Sequence, residues 1–590
     1  MPTSARPQNG ALGGSLHGRR QRLFELHSFL RSVDNLRPDE ALDEIAKLFE
    51  VWARFRSFEV AVPDAKSALS EQAASGAITR LSSMLADVEP GHGADLFQEL
   101  ADVGVRAGMG QYFTPLPVAE AIAVFLAPMA GETWLDPFCG SGLLLGALTT
   151  NTEGDLRLFG VDRDQRVLHL ARVEAMLHHP SSEPGLLLAN ALEEPASLLS
   201  RLGAPRDGVD GIVTNPPFGS EVHEADRGGY AEFELGVKSR VPLEILGLEQ
   251  SIRLLRPGGR LGIVLPQSIL SNRSLAYVRK FVLDRCCVDG ILGLPGETFL
   301  PFKGVSKASV LFLTKRVATP HTAIRIGVSL SVGWDANGRA KGKSDAAETA
   351  RRMKTEAIET ARLMTIEQAP ALSRNLSAEW LLRPRVEGRP LSDLCSAIFT
   401  GASPGRAAYD TGLTDAGAYR VLKVGDLTNH GIDWSVGERS LASLSRRPTE
   451  GRLLRIGDLA TTAAAHHPRY IAAKVDYVDC FPTGFEDRCI AVAEVLVFRP
   501  CPSQIDPLAL LLWLRSDEGR EALQSCVTGQ TAHLSANDVS EVVVPHRIFS
   551  ADLTEAIESV RHSLRLRRES EVASARAARC FVDRSTPRDP

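Results

Sequence analysis

The chain has 590 residues, enough for three or four domains that each bury a core. Its 44% hydrophobic and 24% charged content exclude a disordered or fibrous protein. A net charge of -5 neither demands nor excludes a nucleic-acid partner, which depends on where positive charge is gathered. No apolar run approaches the roughly 20 residues of a membrane helix; the best, Leu508–Leu514, is far too short. The start lacks the apolar core of a secretory signal, so residence in the cytoplasm is expected. Nine scattered cysteines without a CxxC pair argue against a zinc ribbon or a disulfide framework.

Taken in chain order, residues 1–20 are rich in Gly, Ser, Pro and Arg and read as a disordered tail. A helical domain over 21–105 follows. Its helix at "RPDEALDEIAKLFEVWARF" has Pro38 in the first turn, Asp39 and Glu40 at the positive end of the dipole, and Leu42, Ile45, Leu48, Phe49, Trp52 and Phe55 on one face. Over 106–318, continuous apolar strands alternate with helices, which predicts a mostly parallel sheet covered on both faces. Residues 319–389 read as a polar, solvated connector, helical in part. A glycine-rich α+β unit spans 390–548, and 549–590 read as an amphipathic helix with apolar Leu553, Ile557, Val560, Leu564 and Leu566, a candidate for dimerisation, followed by a tail. The fold class expected is therefore multidomain α/β.

Two stretches of the α/β region carry chemistry. In "LDPFCGSG", Asp136 precedes a glycine turn between a strand and a helix, at the edge where open α/β sheets bind ligands. A phosphate cradle would want Lys-Ser/Thr after the glycines; an acid in front suits a cationic ligand end. Asp162, ending the next strand, can accept both hydroxyls of a ribose. Together they suggest an adenosine that carries an ammonium group, with a surface carboxylate at a turn as the alternative for Asp162. In "TNPPFG", Pro216 and Pro217 stiffen the chain and carry no amide hydrogens, which leaves carbonyl acceptors for an external donor. The alternative there is a rigid turn with a core phenylalanine.

These motifs resemble, in order, those of the S-adenosylmethionine-dependent adenine methyltransferases of DNA, and in particular the methylation subunits of type I restriction-modification systems. They are "GQYFTP" (Gly110–Pro115), "DPFCGSG" (Asp136–Gly142), "GVDRD" (Gly160–Asp164), "NPPF" (Asn215–Phe218), "LLRPGGRLGIVLP" (Leu254–Pro266) and "GLPGETFLP" from Gly293. The resemblance implies a Rossmann-like domain with S-adenosyl-L-methionine held by Tyr112, Phe113, Thr114, Pro115, Asp136, Pro137, Cys139, Gly140, Ser141, Gly142 and Asp162. Asn190 would join them where the family commonly has Asp. Catalysis would fall to Asn215, Pro216, Pro217 and Phe218. Two carbonyl oxygens, from the Asn215 side chain and the Pro216 backbone, would accept the hydrogens of an adenine amine, and Phe218 would stack on a base extruded from the duplex. Relatives with Asn-Pro-Pro-Tyr modify RNA or a protein glutamine by the same chemistry, so the motif leaves the substrate open.

The 390–548 unit resembles one target-recognition domain of a type I specificity subunit, which implies double-stranded DNA as partner. Its matching stretches are Leu391–Pro404, Tyr419–Ser435, Leu453–Thr462 and Leu510–Pro545. Between Tyr419 and Val475, Arg420, Lys423, Arg439, Arg446, Arg447, Arg452, Arg455, Arg469 and Lys474 outnumber Asp426, Asp433, Glu438, Glu450 and Asp458. His466 and His467 are candidate base contacts or plain loop residues, with no acid or cysteine nearby at metal-ligand spacing; no metal is expected. One recognition domain would serve a monomer on a short asymmetric site or a homodimer on two half-sites. The rival within enzymes is a combined restriction and modification protein; since the amino-terminal region lacks an obvious nuclease cluster, any nuclease or defence subunit is expected to be another chain. A DNA-binding sensor without turnover is the rival outside enzymes.

Overall fold

A computed structural model describes residues 16–55, 69–85 and most of 114–585. Outside the description lie 1–15, 56–68, 86–113, 179–183, 221–231, 238–240, 301–306, 317–322, 336–338, 356–360, 366–374, 383–385, 404–408, 410–417, 435–440, 444–449, 466–467, 528–532, 550–552, 586–590 and Asn151, Glu153 and Ala340. Tyr112, Phe113, His466 and His467 are among these residues. The chain divides into two compact units, Met1–Leu382 and Arg383–Pro590.

The first unit opens with helices α1 (Leu16–Asp34), α2 (Pro38–Phe55) and α3 (Glu71–Leu85). Helix α1 starts inside the stretch read as a tail. Leu23, Leu26 and Leu30 recur on one of its faces and are fully buried with Ile45, Phe49 and Leu81. The same cluster includes Leu170 and Val173 of the α/β layer, so these helices share their core with it instead of closing one of their own.

Next come α4 (Leu116–Leu126), β1 (Thr133–Asp136), α5 (Leu143–Thr149), β2 (Arg157–Asp162), α6 (Gln165–His178), β3 (Gly185–Leu188), α7 (Pro195–Leu202) and β4 (Val209–Thr214). They are followed by α8 (Leu243–Leu254), β5 (Leu255–Pro266), α9 (Gln267–Ser271), α10 (Ala276–Arg285), β6 (Cys287–Gly293), β7 (Ala308–Thr314), β8 (Ala323–Val328), α11 (Ala346–Thr355), β9 (Ala361–Thr365) and α12 (Ala378–Leu381). The nine strands form one sheet in the order β3-β2-β1-β4-β5-β7-β6-β8-β9. From β3 to β5 all neighbours are parallel; β7 runs antiparallel between β5 and β6, β8 is parallel to β6, and β9 closes the edge antiparallel. Alternate residues feed two cores: Leu135, Ile212 and Ile263 one face, Trp134, Val213 and Val264 the other.

The connector expected over 319–389 is not one. Ile324 and Ile326 of β8 are fully buried, and α11 buries Ala346, Ala350 and Met353 at helical spacing against the α4 side of the sheet. Charged residues on the other face of α11 gave the stretch a solvated look while the apolar stripe did the packing.

The second unit is α+β. Its elements are β10 (Gly388–Pro390), α13 (Leu391–Leu394), β11 (Cys395–Thr400), β12 (Tyr419–Leu422), β13 (Leu441–Ala442), β14 (Leu459–Thr462), β15 (Val475–Tyr477), β16 (Cys489–Ala491), β17 (Val495–Pro500), α14 (Pro507–Arg515), α15 (Asp517–Gln524), α16 (Ala536–Val539), β18 (Val543–Pro545) and α17 (Thr554–Ser585). They make a four-stranded sheet β11-β17-β14-β15, a three-stranded sheet β13-β12-β16 and the pair β10-β18. On α17, Ile557, Val560 and Leu564 pack on the core beneath α14, and Leu553 just before the helix joins them, whereas Leu566 is exposed.

Candidate active site

The parallel strands β2, β1 and β4 end side by side, and each end carries a predicted residue: Asp162, Asp136, and Thr214 followed by Asn215. Asp136 is fully buried. Its Oδ1 accepts from the Thr214 hydroxyl at 2.7 Å and from the Phe138 N–H at 3.0 Å, while Oδ2 is enclosed without a hydrogen-bond partner. Burial pushes the carboxyl up to about 7, against the pull of those two donors, with the Asp162 charge a smaller push the same way. Asp162 accepts from the Gly140 N–H (3.2 Å) and the Asp164 N–H (2.9 Å), and burial raises its pKa as well. A pair of desolvated carboxyls at the ligand edge, one with a bare oxygen, suits a cation.

The turn between them is built tightly. Cys139 and Ser141 are buried, Pro137 is buried beside them, and the Cys139 N–H donates to the Val161 carbonyl at 2.9 Å. Gly142 has φ +83°, and a Cβ there would meet the Ala171 Cα at 3.0 Å, so glycine is required both by conformation and by the approach of α6. Gly140, φ +51°, has open space where its Cβ would point. Thr114 and Pro115 are buried at the start of α4, where the Pro115 carbonyl accepts from the Val118 N–H at 2.9 Å. Asn190 is exposed beyond β3. Its Oδ1 accepts from the Leu192 N–H at 3.1 Å, closing a local turn.

Asn215 is 8% exposed, yet neither Oδ1 nor Nδ2 has a hydrogen-bond partner. An amide enclosed without partners is costly unless something else is to meet it. Pro216 is buried, and Pro217 and Phe218 are half-buried. The Phe218 ring meets Phe299 edge-on, centroids 6.0 Å apart. Thr214 joins the two halves: its hydroxyl holds Asp136 while its chain neighbour is Asn215. Sequence reasoning missed Thr214, Phe299 and the α8 residues Glu244 and Gly247. Thr214 had a signal in its place directly before the prolines' motif, and Phe299 in its place within "GLPGETFLP"; Glu244 and Gly247 had none.

In the second unit, Arg420 is buried and bonds the Trp434 carbonyl, so it does not belong to a basic surface as the charge tally assumed. Asp426 and Asp458 are buried too. Arg452, Arg455 and Arg469 are exposed, Lys423 and Lys474 half-buried, and Arg439, Arg446 and Arg447 lie outside the described residues.

A strand-ordered sheet with an acid-glycine turn on β1, an acid on β2 and Asn-Pro-Pro-Phe after β4 defines a methyltransferase-type α/β domain. Residues 96–362 match the model of the N-6 DNA methylase family. Among curated relatives, the type I restriction enzyme EcoEI methylase subunit of Escherichia coli is 27% identical over 38% of this chain and 46% of its own length. The EcoKI methylase subunit of E. coli strain K12 is 30% identical over 37% of this chain and 42% of its own. The chain thus spans under half the length of these relatives. A solved type IIL restriction-modification enzyme, MmeI in complex with DNA, aligns over 94% of this chain and 92% of its own at 11% identity, TM-score 0.48. Among the described residues, no helix is long and apolar enough to cross a membrane.

Proposed function

We propose that the protein is a site-specific DNA methyltransferase that moves a methyl group from S-adenosyl-L-methionine to the N6 amine of an adenine extruded from duplex DNA, within a restriction-modification or phage-defence system. The observation that carries this reading is the pair of unsatisfied groups on either side of Thr214: Asp136 Oδ2 and the Asn215 amide. Asp136 fits the ammonium end of the cofactor, Asp162 its ribose, and the Gly140–Gly142 turn the approach of its chain. The cofactor supplies the electrophilic methyl. The protein's own part is to accept the two amine hydrogens on Asn215 Oδ1 and the Pro216 carbonyl, which localises the nitrogen lone pair, and to stack the ring on Phe218. Two rigid prolines keep both acceptors in place while charge develops.

The second unit is the DNA reader in this proposal. Two of the acids counted between Tyr419 and Val475, Asp426 and Asp458, are buried while Arg452, Arg455 and Arg469 are exposed, which supports phosphate or base contacts from this stretch. Incubation with labelled S-adenosylmethionine and duplex DNA tests the whole reading: N6-methyladenine at a defined sequence is expected. Label on RNA or protein alone would overturn the substrate assignment, and cofactor binding with no transfer to any of them would leave the sensor.

A further inference from the structure

The turn that carries Asn215 is gripped from behind by the first two turns of α8, and nothing in its own sequence provides that grip. Pro216 and Pro217 have no amide hydrogens, so the pair cannot donate a hydrogen bond to the scaffold. Just beyond them, Gly219 donates its N–H to the Glu244 carboxylate, 3.3 Å from Oε1 and 3.2 Å from Oε2. Glu244 is 6% exposed, and burial raises its pKa, so an acid at this place is retained against a desolvation cost. Next to it, the Leu243 N–H donates to the Ser220 carbonyl at 2.8 Å. One turn further along, Gly247 lies so close that a Cβ would stand 3.0 Å from Pro216 Cβ and 3.0 Å from Phe138 Cε2.

We infer that Glu244 is a positioning residue for methyl transfer, fixing the Pro216 carbonyl through Gly219, with Gly247 as the seat that lets Pro216 settle against α8. This rests on the function proposed above. Glu244 touches neither the base nor the cofactor; it acts on the turn alone. A displaced acceptor costs catalysis steeply, since an error near 1 Å in a reacting geometry costs about a hundredfold.

The experiment compares E244A, E244Q and G247A with the unaltered full chain, reading kcat, KM for duplex DNA, S-adenosylmethionine affinity and thermal midpoint. E244A is expected to lower kcat about ten- to hundredfold with cofactor affinity within twofold. E244Q keeps a carbonyl for Gly219 and should recover most of that loss. G247A, made at a different atom, should lower kcat in the same direction. Unchanged kcat in E244A overturns the inference, as does a loss that follows the thermal midpoint and cofactor affinity equally, or that E244Q does not relieve. If the unaltered chain methylates no DNA while it binds the cofactor, the function proposed above has failed instead, a result read before any variant is compared.

Discussion

Asp136 and Asn215 at the strand ends of the first unit are buried in a way opposite to the acids of the second. In the second, Asp458 takes a forked pair of bonds from Arg499, Nε and Nη2 each at 2.8 Å, and also the Arg455 N–H. Asp476 accepts from three backbone N–H groups, those of Thr428, Asn429 and Gly431, and from Arg515. In the first, Asp136 leaves one oxygen bare and Asn215 leaves its whole amide bare. Satisfied buried charge holds loops of a scaffold together, whereas unsatisfied buried polarity at a strand edge marks a place meant for another molecule.

The contrast is broken most sharply at Asn215. Asn215→Ala should reduce methyl transfer by about a thousandfold or more while cofactor binding persists, checked by label transfer and calorimetry; normal transfer would make the amide a bystander. On the satisfied side, Arg499→Ala strands Asp458 and should cost about 3–5 kcal/mol in chemical denaturation, with S-adenosylmethionine affinity untouched. A small loss there would mean that the pair is not architectural.

Asp136 has a pH signature. Its folded pKa is raised from 3.8 to about 7, so its protonated form contributes stability fully below about pH 4 and loses it as pH rises through about 7. A cationic ligand end needs the ionised form. Cofactor affinity should therefore fall about tenfold per unit below pH 7 and level off above it, while the cofactor-free protein becomes less stable over the same rise. Asp136→Asn should flatten both trends and weaken binding about ten- to hundredfold. The smallest effect is expected at Asn190, whose Oδ1 is engaged in its own turn: Asn190→Ala should change cofactor affinity by only about threefold, measured by titration.

Much of this was legible in the sequence because strand ends and turns are written locally. Asp136, Asp162 and Asn215 each follow an apolar run that could only be a buried strand, and a parallel sheet brings such ends together. Two turns of the second unit are local in the same way: Asp426 accepts the Lys423 N–H at 2.9 Å and Asp458 the Arg455 N–H at 2.8 Å, each three residues apart. What could not be read is tertiary. Glu244 lies 25 positions from Gly219, in a helix that looks ordinary. Strand β8 sits between polar stretches, and its pairing with β6 is a long-range event. Arg420 counted as surface charge until its place on β12 put it inside.

The triple approach of Phe138, Pro216 and Gly247 carries a consequence for redesign and for descent. One residue from the Asp136–Gly142 loop and one from the Asn215–Phe218 turn share a single gap on α8, so neither motif can drift in bulk alone. Exchanging the terminal aromatic at 218 leaves that gap intact. A bulkier residue at 247, or a reshaped ring at 138, has to be answered at 216, and hybrids that splice one of these segments from a distant homologue should regain turnover only when all three travel together.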